Sequence, residues 1–208
     1  MKKILFQGDS ITDALRRREE INQEHYKGCG YPTLISARLG YECPGEYHCI
    51  NRGVAGDRSV HMLQRIYEDF LALKPDVLSI LIGVNDVWNN LGHEEFAPSL
   101  YETCFSFLIS QIKKDLPDCQ LMILEPFVLR GSATENNWKD FGETVPKIAK
   151  IAKKIAFEAN AIFIPLQEKF DEFASKTKAE LWLYDGVHPT SAGHELIARE
   201  WLNYFKKI

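Results

Sequence analysis

Val77-Leu78-Ser79-Ile80-Leu81-Ile82 runs into Gly83-Val84-Asn85-Asp86. An aliphatic run this short, closed by a glycine and then by polar residues, reads as a strand covered on both faces. It is far below the ~18 to 20 apolar residues of a membrane span. Runs of the same kind recur at Lys3 to Gln7, Tyr47 to Asn51, Gln120 to Glu125 and Ala161 to Pro165. Segments of helical period lie between them, near Tyr31 to Leu39, Val60 to Leu73, Phe96 to Asp115 and Phe141 to Asn160, then Gln167 to Lys176 and Thr190 to Lys206. Strand and helix in alternation predict an α/β fold with a five-stranded parallel sheet built from βαβ units.

The chain has 208 residues, which predicts one domain spanning 1–208. With 45% hydrophobic, 12% aromatic and 26% charged residues, it can bury a sizeable core, and disorder and collagen-like repeats are excluded. Lys plus Arg is 25 against 29 for Asp plus Glu, a net charge of −4 with no basic stripe, so nucleic acid is not an expected partner. Met-Lys-Lys followed by only Ile4, Leu5 and Phe6 is too short for a secretory signal, and a cytoplasmic location is expected. Cys29, Cys43, Cys49, Cys104 and Cys119 form no C-x-x-C pair and read as reduced structural thiols.

In an open parallel sheet, ligands bind beyond the carboxyl ends of the strands, so those ends are where chemistry is sought. The first strand runs into Gly8-Asp9-Ser10, the second into Asn51-Arg52-Gly53-Val54-Ala55-Gly56-Asp57, and the third into Gly83-Val84-Asn85-Asp86. The irregular stretches Asp13 to Gly30 and Leu129 to Asp140 are candidate binding loops. A hydroxyl at a strand-to-helix turn suits a nucleophile, although an isolated Gly-Asp-Ser is more often a helix cap. Ser10 acquires meaning from Asp185-Gly186-Val187-His188-Pro189, where a carboxylate and an imidazole three residues apart could face the same way. Alone, that segment would be an Asx turn beside a surface histidine. Donors for a tetrahedral oxyanion are available in the N–H of Ser10, the N–H of Gly56 and the amide of Asn85.

Gly8-Asp9-Ser10-Ile11-Thr12, Asn51 to Asp57, Gly83-Val84-Asn85-Asp86 and Asp185-Gly186-Val187-His188-Pro189 stand in the order of the sequence blocks of the SGNH hydrolases, or GDSL esterases, and the chain resembles that family from residue 4 to about residue 200. The resemblance implies a three-layer, flavodoxin-like α/β/α sandwich, with Ser10 as nucleophile, His188 as base, Asp185 as its orienter, and Gly56 and Asn85 completing the oxyanion hole. Gly53 is a rival to Gly56. Ile82-Gly83-Val84-Asn85-Asp86-Val87-Trp88 and His188-Pro189-Thr190-Ser191-Ala192-Gly193-His194 are similar to the bacterial intracellular acetylxylan-esterase type within that family. The similarity implies a cofactor-free serine esterase that removes acetyl from carbohydrate.

Asp9, Trp88 and Tyr184 are the candidate substrate contacts; Trp138, Trp182, Arg58 and Asn89 read more readily as core, salt-bridge or cap residues. His188 and His194 are six apart, with no H-E-x-x-H in the chain, and no metal is expected. No G-x-x-x-x-G-K-[ST] or G-x-G-x-x-G offers a nucleotide cofactor a seat. The expected partner is a small acyl ester or acetylated oligosaccharide, with a homo-oligomer left open and no integral membrane. The alternatives are a lysophospholipase, thioesterase or arylesterase of the same family, and, from another class, a flavodoxin-like module holding an anion at Gly8 to Thr12.

Overall fold

The computed structural model describes residues 1–18, 26–93 and 95–206. Five strands form one parallel sheet in the order β2-β1-β3-β4-β5: β1 Lys2–Gly8, β2 Tyr47–Asn51, β3 Val77–Leu81, β4 Gln120–Leu124 and β5 Ile162–Ile164. The register pairs Phe6 with Asn51 and Gly8 with Leu81, so the carboxyl ends of β1, β2 and β3 lie side by side. Strand order reverses between β1 and β3, which opens a crevice between the loops that follow them.

Helices α2 (Tyr31–Glu42) and α9 (Ser191–Phe205) pack together on one face of the sheet. On the other lie α3 (Ser59–Gln64), α6 (Phe96–Asp115) and α7 (Trp138–Glu158), giving the expected three-layer α/β/α sandwich. Ile4, Leu5 and Phe6 of β1 are wholly buried, and Phe6 meets Tyr31 edge-on at 5.9 Å and Trp201 at 5.6 Å. The one polar residue inside β3 is satisfied: Trp201 Nε1–H donates to Ser79 Oγ at 3.0 Å. Among the described residues no helix is long and apolar enough to cross a membrane.

The expected helix Val60 to Leu73 is broken into α3, α4 (Ile66–Asp69) and a 3-10 turn, Leu71–Leu73. The break falls at Arg65, whose guanidinium reaches Asp57, Gln7, Asp69 and the carbonyl of Arg52. Two short helices, α1 (Ser10–Asp13) and α5 (Val84–Trp88), were not expected, because one turn carries no readable period. The remaining helix, α8, covers Gln167–Lys176 as expected. Of the expected loop Asp13 to Gly30, residues 19–25 lie outside the described residues.

Candidate active site

Ser10 opens α1 immediately after β1, and glycine is required two residues earlier because a Cβ at Gly8 would strike Thr12 Oγ1 and the carbonyl of Leu81. Ser10 Oγ lies 2.9 Å from His188 Nε2, and His188 Nδ1 lies 2.7 Å from Asp185 Oδ2. The other carboxylate oxygen, Oδ1, accepts the backbone N–H groups of Val187 at 2.9 Å and His188 at 2.8 Å. Burial pushes the Asp185 carboxyl up, but the hydrogen bonds from His188 and Val187 outweigh it and hold the group below the usual carboxylate range. Asp185 is therefore an anion with both oxygens occupied, a fixed partner for one ring nitrogen that leaves the other to the serine.

The segment is rigid for identifiable reasons. Gly186 adopts φ +96°, and a Cβ there would come within 2.6 Å of the Leu129 carbonyl. Leu129 N–H donates to the Gly186 carbonyl and Ala133 N–H to that of Asp185, while Thr134 Oγ1 closes the loop on Leu129. The stretch Leu129 to Asp140, expected as a binding loop, thus braces the Asp185–Gly186 turn with its first residues. Gly131 packs so tightly on the Asp185 backbone that a side chain would not fit.

Asn85 sits in α5 after β3, is 8% exposed, and donates one amide hydrogen to the Asp57 carbonyl at 3.0 Å. The second amide hydrogen remains for a ligand. Gly53 and Gly56 differ in kind. Gly53 N–H is taken by Asn51 Oδ1 at 2.9 Å, and a Cβ on Gly53 would collide with the backbone of Asp13. Gly56 is exposed at φ +83° with open space around it, next to Ala55, which lines the cleft beside Ser10. The loop between them is pinned by Val54 N–H on the Gly8 carbonyl and Ala55 N–H on Asp13 Oδ2. Arg65 holds Asp57 through two contacts, of 2.8 and 2.7 Å. Asp13, Asn51 and Thr134 fall in stretches the sequence marks as strand ends or candidate binding loops without giving them these bracing roles, and Arg65, inside an expected helix, carries no sequence signal for its role.

Asp9 requires a correction. Its side chain is 1% exposed and caps α1 by accepting the Ile11 N–H at 3.0 Å, so it faces away from the cleft and cannot meet substrate. Burial pushes its pKa up to about 7, the Ile11 N–H pulling it back and the nearby Asp86 and Asp57 charges adding to the rise. Asp86, whose carboxylate accepts the Ser59 N–H and hydroxyl, is pushed up to about 6 by burial against those bonds. Because the folded state holds the Asp9 proton more tightly than the unfolded chain, its contribution to stability is full below the unfolded value and is lost as pH rises toward about 7. Asp9→Asn keeps a capping oxygen and removes the charge, at roughly 1.4 kcal/mol per pKa unit. We expect the urea midpoint of the variant to fall less than that of wild type between about pH 5 and pH 8.5. Parallel curves would place the titrating carboxylate elsewhere.

Of the remaining candidates, Tyr184 is 58% exposed, lines the cleft and stacks on His188 at 5.7 Å and 17°. Trp88 is half-buried, edge-on to Phe141 at 5.5 Å and tilted over His188 at 6.2 Å; it packs the ring in place and does not line the cleft. Trp138 lies under Arg130, Trp182 donates to Thr177, Arg58 bonds His61 and Asn89 bonds the Asn85 carbonyl. The cleft has a volume of about 310 Å³, with Ser10, Leu15, Cys29, Tyr184, His188 and His194 among its walls. Among the described residues no three His, Cys, Asp or Glu side chains are grouped to hold a metal ion.

Residues 6–196 match the model of the GDSL-like lipase/acylhydrolase family. The chain belongs to this family. It is 30% identical over 208 residues to an acetylxylan esterase of Geobacillus stearothermophilus, covering 97% of this chain and 92% of that one. The crystal structure of Axe2, an acetylxylan esterase from the same organism, superposes with a TM-score of 0.85 at 30% identity, over 98% of this chain and 93% of that one. A protein from Parabacteroides merdae described as a GDSL-like lipase superposes with a TM-score of 0.90 at 36% identity, over 98% and 94% of the two chains. As a GDSL-type protein the chain is a carboxylic ester hydrolase. The relay from Ser10 through His188 to Asp185 has the connectivity such chemistry requires: a hydroxyl, a base in reach of it, and a carboxylate holding the base.

Proposed function

We propose that this GDSL hydrolase removes a small acyl group, acetyl, from carbohydrate by way of an acyl-enzyme. Ser10 Oγ attacks the ester carbonyl while His188 Nε2 takes its proton and then passes it to the departing sugar oxygen. Asp185 stabilises the imidazolium formed in between. The oxyanion is met by the N–H of Ser10, the N–H of Gly56 and the free amide hydrogen of Asn85, whose other hydrogen is tied to Asp57. Water, giving a proton to His188 Nε2, then attacks the acyl carbonyl; the bond to Ser10 Oγ breaks, acetate leaves and the proton returns to the serine. The observation that carries the reading is the 2.9 Å contact between Ser10 and His188 in a cleft of about 310 Å³, the lower end of the usual range for small-molecule sites. The acetylxylan esterases to which the chain is similar support the sugar ester as substrate. The anion-binding alternative is disfavoured because Asp9 already caps α1 and the helix is four residues long.

Two measurements test this. Across p-nitrophenyl esters, kcat/KM is expected to peak at acetate and fall with chain length, since each added methylene gains about 0.8 kcal/mol only where apolar room exists. Rates that climb from acetate to octanoate would favour a lysophospholipase or thioesterase. Asn85→Ala should lower kcat roughly 10² to 10³-fold with a smaller change in KM, as expected for a donor used in the transition state. An effect confined to KM would make Asn85 a substrate ligand instead.

A further inference from the structure

His194 stands in the first turn of α9 and lines the same cleft as Ser10 and His188. The residue is 8% exposed, its ring stacked on Tyr31 at 6.5 Å and 26°, with Gly30 so close that a Cβ would come within 3.1 Å of Cε1. Its Nδ1 accepts the backbone N–H of Tyr31 at 3.2 Å. A ring nitrogen that accepts carries no proton, so in the neutral ring the hydrogen resides on Nε2. Burial, reinforced by His188, lowers the pKa to about 4, which keeps the ring neutral at physiological pH. Nε2 has no partner within the described residues and is not sealed from solvent. A residue only 8% exposed therefore spends one ring nitrogen on the fold and keeps a single N–H unused in the cleft that Ser10 lines.

We propose that His194 Nε2–H binds an oxygen of the alcohol half of the ester, a hydroxyl or ring oxygen of the sugar, and so selects polyhydroxylic over aryl alcohols. The acyl half offers no taker: the only polar atom of an acetyl group is the carbonyl oxygen, which the oxyanion donors engage. A neutral, pre-oriented donor in a confined cleft discriminates mainly against substrates that desolvate it and leave it unpaired. This inference rests on the carbohydrate-ester reading above.

The test compares kcat/KM for an acetylated methyl xylopyranoside with that for p-nitrophenyl acetate, in the full chain. In His194→Asn, Oδ1 occupies the place of Nδ1 and keeps the Tyr31 bond, but nothing stands where Nε2 was. His194→Gln can return an amide N–H to that place. The ratio of sugar ester to aryl acetate should fall about tenfold in the Asn variant, chiefly through KM, and recover to within about threefold of wild type in the Gln variant. An unchanged ratio in His194→Asn, with wild type favouring the sugar ester, would overturn the role of His194 alone. Equal losses in both variants would overturn it as well, showing a role in packing. A wild-type enzyme that cleaves p-nitrophenyl acetate and ignores the sugar ester would overturn the carbohydrate reading and this donor with it.

Discussion

Ser10→Ala is expected to reduce kcat for ester hydrolysis by about 10⁴ to 10⁶-fold while leaving the fold intact. The hydroxyl supplies the covalent step, and its side-chain hydrogen bond is to His188 at 2.9 Å, so little packing is lost with it. The backbone N–H of residue 10, Gly56 and Asn85 persist in the variant, which is why a residual rate above that of water is expected. Steady-state hydrolysis of p-nitrophenyl acetate, with circular dichroism as the check on folding, decides the matter. Labelling by a fluorophosphonate should be lost in parallel. A folded variant that kept more than about a tenth of wild-type kcat would remove Ser10 from the nucleophile's role.

Asp185→Asn should cost about 10⁴-fold in kcat, through the tautomer of a neighbouring ring rather than through any contact with substrate. In the wild type, Oδ2 accepts from His188 Nδ1 at 2.7 Å and Oδ1 accepts two backbone N–H groups. An asparagine must keep its oxygen on those backbone donors, which turns its amide hydrogens toward Nδ1. Nδ1 then has to accept, the ring proton moves to Nε2, and the nitrogen that should receive the Ser10 proton is already occupied. The loss should appear in kcat more than in KM, since Asp185 does not reach the cleft wall. A near-normal rate in a folded Asp185→Asn enzyme would mean that another carboxylate, such as Asp13 in the cleft wall, supports the histidine.

The central strands could be read from the sequence because they are buried on both faces, and a doubly buried strand is a short, nearly continuous apolar run. Val77 to Ile82 and Lys3 to Gln7 met that condition, and the long helices Phe96–Asp115 and Gln167–Lys176 were equally legible from their period. The polar residues at the strand ends were legible too, since in a parallel sheet the place where a strand stops is also the place where ligands bind. What no local pattern carries is proximity through space. Ser10 and His188 are 178 residues apart in the chain, and only the packing of α9 and the bracing of Gly186 by Leu129 and Thr134 bring them to 2.9 Å. The same holds for the burial of Asp9, for the break at Arg65 and for the free nitrogen of His194. Each is decided by partners from distant segments, whose hydrogen bonds and excluded volume exist only once the sheet has formed.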